Sequence, residues 1–205
     1  MRIKKYDLYG TSVEIPIPDS YKDCITLIKS DEYRLKGKVE STLRIVLRNL
    51  KPFSRSWLFW LRLCQYKGWL YPIFRVIYEC ISRKYQIQIQ PKTKIGYGLY
   101  VGHKICIVIN SGTIIGNNVN ISQFLNIGTN HNTPAIIGDN VYLGPSVNIV
   151  EDVKIGCNST IGAGAVVVKD IPENATAAGV PAKVLNYNNP AQYIANPYHE
   201  ENRKC

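Results

Sequence analysis

Histidine is the residue type in this sequence best suited to acid–base chemistry, because the pKa of free imidazole lies close to neutral pH. The chain has three histidines, His103, His131 and His199. His103 directly follows Gly102, at a position from which a side chain can project from a turn. His131 lies in the polar segment 128–134, whereas His199 lies close to the C-terminus and is not expected to be catalytic. His103 and His131 are therefore the candidate general bases.

Both candidates lie in a region where an aliphatic residue recurs at every sixth position. A helix repeats every 3.6 residues and a half-buried strand every two, so a period of six describes a larger unit of one short strand and one turn. Stacked units of this kind bury a continuous aliphatic column that no single unit could bury alone. The period is marked by Ile89, Ile95, Val101, Ile109, Ile115, Ile121, Ile127, Ile137, Leu143, Ile149, Ile155, Ile161 and Val167.

The six-residue period is interrupted twice. It slips by two residues between Ile107 and Ile109, and the interval from Ile127 to Ile137 is four residues too long. A solenoid accommodates extra residues as loops that leave one corner, and such loops often carry function. Because the second interruption contains His131, we interpret it as an active-site loop.

Three stretches of the coil carry a recognisable pattern: residues 161–184 (IGAGAVVVKDIPENATAAGVPAKV), 95–103 (IGYGLYVGH) and 107–110 (IVIN). The first resembles the C-terminal signature of hexapeptide-repeat acyltransferases, and the other two resemble the serine O-acetyltransferase branch of that family. The resemblance implies a left-handed parallel β-helix, usually a trimer, with acetyl-CoA as the donor and no metal. The predicted fold class is therefore mainly β, a left-handed parallel β-helix preceded by a small α-helical N-terminal domain.

The resemblance also implies roles for the two candidate bases. His103 matches the catalytic histidine of serine acetyltransferases. His131 lies near, but not at, the position of their second active-site histidine, and a galactoside- or maltose-acetyltransferase-like enzyme would place its base in this loop. The expected mechanism is direct transfer: a histidine takes the hydroxyl proton as the oxygen attacks, and the imidazolium protonates the leaving CoA thiolate.

The acceptor side departs from the serine acetyltransferase pattern. Gln88 stands where that family places an acid that supports the base, and Gly102 replaces a second acid. The family's Arg-His-Pro loop, which grips a carboxylate, is also absent. We assign Gln88 and Asn130 to acceptor binding. Serine and a sugar hydroxyl, as in the decoration of surface polysaccharides, both remain possible acceptors, and only the first would place the chain in cysteine biosynthesis.

The donor side matches the family more closely. Gly144 and Ala163 fall in repeats where relatives let the pantetheine arm of coenzyme A approach the backbone. Small residues also suit a tight coil corner, so a purely structural role remains open for both. Lys169 and Lys183 match basic positions near the nucleotide phosphates, which cations and backbone N–H groups recognise.

Two other functional classes were compared with the acetyltransferase. A zinc enzyme of the carbonic anhydrase type on the same coil needs three converging histidines, and this sequence has no H-x-x-x-x-H pair. A non-catalytic scaffold or regulatory subunit is made credible by the missing acids. Loss of acetyl transfer on replacing His103 would favour the enzyme hypothesis over the scaffold hypothesis.

The N-terminal part is predicted to be an extended arm over residues 1–20 followed by helices. Asp31 is the expected cap of a helix through Asn49, a second helix covers residues 54–66, and a third begins near Pro72 and ends at about Tyr85. We divide the chain into an arm and helical domain, a β-helix domain and a mobile C-terminal tail. Their bounds are 1–85, 86–185 and 186–205.

Charge and composition limit the partners of the chain. Residues 1–84 hold 17 Lys and Arg against 8 Asp and Glu, whereas residues 85–205 hold 8 against 7. No nucleic-acid-binding module accompanies this basic excess. Aromatic residues alternate with basic ones in the second and third helices, which favours packing against the coil or another subunit over contact with a membrane surface. No apolar run reaches the length that spans a bilayer.

The cysteines and the N-terminus indicate the compartment. The six cysteines show neither a C-x-x-C pair nor zinc-finger spacing, so reduced thiols are expected. The first residues have no apolar segment typical of a signal peptide. We therefore expect a cytoplasmic protein. The resemblance implies a homotrimer or dimer of trimers that binds acetyl-CoA and a small acceptor, and no nucleic acid is expected as a partner.

Overall fold

The computed structural model describes residues 1–50, 57–129, 134–150 and 152–199, and four helices and seventeen strands lie in these ranges. The helices are α1 (Tyr21–Lys36), α2 (Thr42–Asn49), α3 (Trp57–Cys64) and α4 (Tyr71–Tyr85). Two strands precede them, β1 (Arg2–Leu8) and β2 (Thr11–Ile17). The strands that follow are β3 (Ile87–Ile89), β4 (Lys94–Ile95), β5 (Tyr100–Val101), β6 (Ile107–Ile109), β7 (Ile114–Ile115), β8 (Asn120–Ile121), β9 (Asn126–Ile127), β10 (Ile136–Ile137), β11 (Tyr142–Leu143), β12 (Asn148–Ile149), β13 (Lys154–Ile155), β14 (Thr160–Ile161), β15 (Val166–Val167), β16 (Thr176–Ala178) and β17 (Lys183–Asn186).

The strands after α4 form a coil with three flat faces, as the six-residue period predicts. Three parallel sheets make up the faces, and only β17 runs antiparallel. We call them the hairpin face (β4, β7, β10 and β13), the tail face (β5, β8, β11, β14, β16 and β17) and the open face (β3, β6, β9, β12 and β15). The aliphatic residues that mark the period are buried inside the coil. The predicted parallel β-helix preceded by helices is therefore confirmed.

Asparagine forms the corner between the hairpin face and the tail face. Asn118, Asn140, Asn158 and Asn174 all have a positive φ of 56–60°, a conformation that asparagine tolerates better than most residues. We call the end of the coil at β3 the lower end. The three asparagines above Asn118 also form a ladder of side chains: Asn140 Nδ2 donates to Asn158 Oδ1 at 3.0 Å, and Asn158 Nδ2 donates to Asn174 Oδ1 at 3.1 Å. This corner explains why one turn type recurs in each coil.

The first interruption of the period is a longer corner between the tail face and the open face. Val108 and Ile109 pair in register with Asn126 and Ile127, so the two extra residues do not lie in the strand. They lie in the loop 102–106: six residues, 102–107, separate Val101 from Val108, whereas four, 122–125, separate their partners Ile121 and Asn126 on the next turn. The longer loop contains His103. The second interruption includes residues 130–133, which lie outside the described residues.

The first twenty residues form a hairpin that packs on the coil instead of the expected extended arm. β1 and β2 pair antiparallel through a turn at Tyr9 and Gly10, both with positive φ. The hairpin buries Leu8, Val13 and Ile15 against Ile114 of the hairpin face. Burial of this apolar surface stabilises the paired strands.

The first predicted helix is wrong in its start and its continuity. Ser20, whose Oγ accepts from Asp23 N at 3.2 Å, caps α1, and Gly37 ends it in the left-handed conformation. α2 begins again at Thr42. Asp31 is therefore in the middle of a helix, where it serves another purpose. The third helix is confirmed, and the described part of the second spans Trp57–Cys64.

Asp31 and Arg62 form a buried ion pair that joins two helices to the coil. Arg62 donates to both carboxylate oxygens of Asp31 at 2.8 and 2.9 Å and to the backbone oxygens of Ile95 and Gly96. Asp31 also accepts from Leu99 N at 2.8 Å. Because the Arg62 side chain is 0% exposed, every one of these hydrogen bonds is shielded from water. The pair fixes α1 and α3 on the lowest turn of the coil.

The aromatic residues of the helical region divide into a buried and an exposed set. Trp57 and Trp60 of α3 are buried in a core that is continuous with the coil, so the packing interpretation is confirmed for them. Trp69, just before α4, is 83% exposed, and packing does not explain it. In the described ranges, no helix combines the length and apolar character needed to cross a membrane.

The end of the chain packs along the tail face instead of forming the expected mobile tail, at least as far as residue 199. The Tyr193 ring lies 4.6 Å from the Tyr142 ring, and the Tyr193 carbonyl accepts from Asn120 Nδ2 at 2.7 Å. Further along, the Ala195 carbonyl accepts from Arg34 Nε at 2.8 Å. The segment 187–199 therefore connects the upper turns of the coil to α1.

Removing the Arg62 side chain should destabilise the whole chain. We expect Arg62→Ala to lower the free energy of unfolding by about 3–5 kcal/mol, because Asp31 is left as a buried carboxylate without its cationic partner. The measurement is urea unfolding followed by circular dichroism. Arg83→Ala, which removes an exposed arginine, is the matched control and should change stability by less than about 0.5 kcal/mol. Equal losses in both variants would contradict this account.

Glu40 should make stability depend on acid pH. Hydrogen bonds from Lys36 and then from Arg48 lower the pKa of Glu40 from 4.5 to about 2. A carboxylate whose pKa is lower in the folded state stabilises the fold above its unfolded pKa, and this contribution is lost as the pH falls towards 2. Urea unfolding at pH 5.5 and pH 3 should therefore show a smaller loss for Glu40→Gln than for the wild type. An identical loss in the two proteins would contradict the prediction.

Candidate functional site

His103 lies in the longer corner loop at the lower end of the coil. Its side chain is exposed, and its carbonyl accepts from Ile105 N at 3.1 Å, which closes the turn. The loop is held from below, where Cys106 N donates to the carbonyl of Tyr85 at 3.0 Å, and from above, where Phe124 N donates to the carbonyl of Ile105 at 3.3 Å. A projecting imidazole on a fixed backbone is what a general base requires.

Gly144 and Ala163 lie along the same corner as His103, on higher turns of the coil. Val101, Ile121, Leu143 and Ile161 stand above one another in the tail face, and the corner begins directly after each of them. Parallel strands are about 4.8 Å apart, so Ala163, three turns up, is about 14 Å above the loop of His103. The corner therefore forms an edge that an elongated donor could follow.

The structure gives Gly144 a packing reason to be glycine. A Cβ at this position would lie 2.9 Å from Ala163 N and 3.0 Å from the Ile161 carbonyl, closer than packed atoms allow. Ala163 itself is exposed, as is Lys183. Close stacking of the coil therefore explains Gly144, and a role of Gly144 in cofactor binding stays a prediction.

The two lysines assigned to the donor phosphates lie at different places. Lys183 pairs with Ala178 in the tail face, and a Cβ on Gly162 would lie 2.9 Å from the Ala178 Cβ, so Lys183 is close to the corner that contains Ala163. Lys169 follows β15 at the opposite end of the open face. Only Lys183 shares the edge with His103.

Gln88 is the middle residue of β3, the first strand of the open face, and its side chain is exposed. It stands in register with Val108 and then Asn126, and Asn126 Nδ2 donates to Asn148 Oδ1 at 3.1 Å one turn higher. Gln88 and Asn126 are therefore two turns apart on the open face, with Val108 between them, and this row borders the His103 corner. His131 and Asn130 lie outside the described residues.

Four residues around His103 carry no signal in the sequence that would have identified them. Cys106 Sγ donates to Gln86 Oε1 at 2.9 Å and so ties the loop to the end of α4. Ile105 and Phe124 place exposed apolar side chains on successive turns beside the histidine. Ile105 and Phe124 stand where other turns have Asn or Gly. Only the stacking of the turns shows that both residues lie near His103.

Two clefts between the hairpin and the coil lie away from this corner. One of about 330 Å³ is lined by Tyr9, Cys157 and Asp170 among others, and one of about 350 Å³ by Glu14 and Asp139 among others. Burial raises the pKa of the Tyr9 hydroxyl, the Cys157 thiol and the Asp139 carboxyl. Neither cleft contains His103, Gly144 or Ala163.

Comparison with known proteins finds a family model that matches part of the coil. Residues 134–169 match the model of the bacterial transferase hexapeptide (six repeats). The chain is 34% identical over 120 residues to a serine acetyltransferase of Buchnera aphidicola, covering 56% of this chain and 46% of the relative. It is 40% identical over 105 residues to a putative acetyltransferase of Saccharomyces cerevisiae, covering 44% of this chain and 54% of the relative. The chain thus spans about half the length of these curated relatives.

Solved structures agree with the sequence relatives. The serine acetyltransferase of Neisseria gonorrhoeae superposes with a TM-score of 0.62 at 26% identity, covering 80% of this chain and 66% of that one. Soybean serine acetyltransferase complexed with serine superposes with a TM-score of 0.56 at 28% identity, covering 63% of this chain and 56% of that one. By repeat, relatives and fold, the chain resembles the hexapeptide-repeat acyltransferases, and the proteins it is similar to include several serine acetyltransferases.

Proposed function

We propose that this chain transfers an acetyl group from acetyl-CoA to a hydroxyl group of a small acceptor, with His103 as the general base. The observation that carries the proposal is the shared corner, where the exposed imidazole of His103 lies below Ala163 and Lys183 on one edge of the coil. Relatives and structural neighbours named serine acetyltransferase support the reaction class. One neighbour is described as a complex with CoA, which supports the donor.

Some residues of the chain bind the donor, and His103 transfers the proton. The exposed, small corner at Ala163 leaves the backbone accessible to an extended donor, and Lys183 supplies a cation for its phosphates. Ile105 and Phe124 supply apolar contact surface close to the base. His103 takes the proton of the acceptor hydroxyl as the new C–O bond forms, and the imidazolium then gives that proton to the departing thiolate. No acyl-enzyme is required.

The acceptor we favour first is serine, after the names of the relatives, and a sugar hydroxyl is the second candidate. The specific observation in favour of a sugar is that Gly102 and Gln88 stand where serine acetyltransferases are expected to carry acids, so these two positions offer no negative charge to an ammonium group, while Lys104 is the charged residue next to His103 in sequence. An amino acid acceptor carries an ammonium and a carboxylate, and both are recognised best by opposite charges. A sugar instead offers several hydroxyl groups, which the amides of Gln88 and Asn126 can bind by hydrogen bonds.

We also propose that the complete site forms between copies of the chain, as a trimer. β9 ends at Ile127, and Gly128 follows it at the far end of the open face from the His103 corner. The backbone from Cys106 to Asn110, which contains β6, extends about 13 Å at 3.3 Å per residue. The two corners of one coil therefore lie well apart, at opposite edges of the open face. A second coil against the open face would bring one corner of each copy together.

Replacing His103 should abolish acetyl transfer without loss of the fold. We expect His103→Ala to lower kcat by about 10²- to 10⁴-fold, because the hydroxyl then lacks its base. The measurement is release of the CoA thiol from acetyl-CoA with L-serine and a panel of sugars. His199→Ala is the matched control and should keep wild-type turnover. An active His103→Ala protein would overturn the assignment of the base, and turnover with sugars alone would select the second acceptor.

The two lysines should differ in their effect on the donor. We expect Lys183→Glu to raise KM for acetyl-CoA about three- to tenfold with little change in kcat, because it reverses an exposed charge beside the donor edge. Lys169→Glu, at the other end of the open face, should have a smaller effect. The measurement is initial rate against acetyl-CoA concentration at saturating acceptor. A larger effect at Lys169 would move the donor to the other corner.

A further inference from the structure

The outer surface of α4 carries an apolar stripe that nothing in the coil or the helical region covers among the residues the structure describes. Trp69, Ile73 and Val76 are 83%, 57% and 64% exposed, and Cys80 is exposed as well. At 100° per residue, positions 73, 76 and 80 fall on one side of a helix, and Trp69 continues the row at its N-terminal end. We call these four residues the α4 stripe.

Basic residues lie at both ends of the α4 stripe. Lys67 is exposed just before Trp69, and Arg83 and Lys84 are exposed in the last turn of the helix. The single acid of α4, Glu79, is already paired with Arg75. An exposed apolar row with unneutralised cations at its ends is typical of a helix that lies in the headgroup region of a membrane.

We propose that the α4 stripe docks the chain on an anionic lipid surface, with Trp69, Ile73 and Val76 inserted among the headgroups and Lys67, Arg83 and Lys84 bound to lipid phosphates. The net charge of residues 1–84 is +9, since 17 basic residues stand against 8 acidic ones, whereas residues 85–205 carry only +1. The attraction to anionic lipid is therefore concentrated in the part of the chain that carries the stripe.

Charge argues against α4 of a second copy of the chain as the occupant. Two α4 helices packed antiparallel along the stripe would place Lys67 of one copy near Arg83 and Lys84 of the other. Packed parallel, they would place each basic end next to its own equivalent. Both arrangements bring like charges together at each end of a short apolar contact, which is unfavourable. An anionic surface instead complements both ends at once.

The stripe must also be distinguished from the apolar surface that α3 buries. Trp57 and Trp60 lie inside the shared core, so they are not available to lipid. The sequence has three tryptophans, and Trp69 is the one among them that is exposed. Its fluorescence should therefore report insertion, while the other two give a constant background.

The test is cosedimentation of the full chain with vesicles of phosphatidylcholine alone or with 30% phosphatidylglycerol, in 50 mM salt. We expect binding to the anionic vesicles only, weakened at 500 mM salt, with a blue shift of tryptophan emission that Trp69→Phe removes. Trp69→Ser/Ile73→Ser/Val76→Ser should lower the partition coefficient at least tenfold. Lys67→Glu/Arg83→Glu/Lys84→Glu should lower it about a hundredfold or more.

Leu185→Ser/Tyr187→Ser is the matched control, because it also removes exposed apolar side chains, of which Leu185 is 63% and Tyr187 54% exposed. It should bind vesicles like the wild type, and circular dichroism should show that every variant is folded. Three results would overturn the proposal: a wild type that does not bind anionic vesicles, equal binding by all variants, or a wild-type oligomer in sedimentation velocity that the triple serine variant dissociates. The last would identify a second copy as the occupant.

Discussion

The register of the parallel strands is the constraint on which the rest of this structure depends. Each turn of the coil must place its inward aliphatic residue directly above that of the turn below, or the shared apolar column is broken. As a consequence, residues at equal positions of the repeat form rows along the outside. The asparagine ladder at one corner and the edge from His103 to Ala163 at another are both products of this stacking. Precise placement of distant residues therefore requires no long loop.

The three faces of the coil differ in what covers them. The hairpin buries Leu8, Val13 and Ile15 on the first face, and the C-terminal segment with Tyr193 packs over the second. The third keeps Gln88 and Val108 exposed and is bordered by the corner of His103. Covering two faces stabilises a short coil and leaves the open face accessible.

The coil could be predicted from the sequence because its signal is repeated many times, whereas the surrounding segments each occur once. Every turn restates the six-residue period, so errors at one turn are corrected by the next. Asp31 shows the opposite case. An aspartate before a helical pattern resembles a cap, but its partner Arg62 is 31 residues away, and no local rule connects them. Asp31 is used in the buried pair, and Ser20 caps α1, which begins at Tyr21.

The site could be predicted only in the parts that depend on the period. The repeat predicts that His103 lies at a corner. The period places the two extra residues between Ile107 and Ile109. The structure places them in the loop 102–106 instead. The apolar neighbours Ile105 and Phe124 and the thiol of Cys106 lie beside His103 through stacking between turns. Contacts between turns depend on the exact loop lengths, which a period alone does not specify.

The basic helical region is joined directly to the loop of His103, the candidate site. α4 ends at Tyr85, whose carbonyl accepts from Cys106 N, and Gln86 accepts from the Cys106 thiol, so the helix leads directly into the support of the His103 loop. At 1.5 Å per residue, the 15 residues of α4 extend about 22 Å. A surface that holds the outer face of α4 therefore also fixes the distance of His103 from that surface. An acceptor presented at the same surface would meet His103, the proposed base, at a defined height.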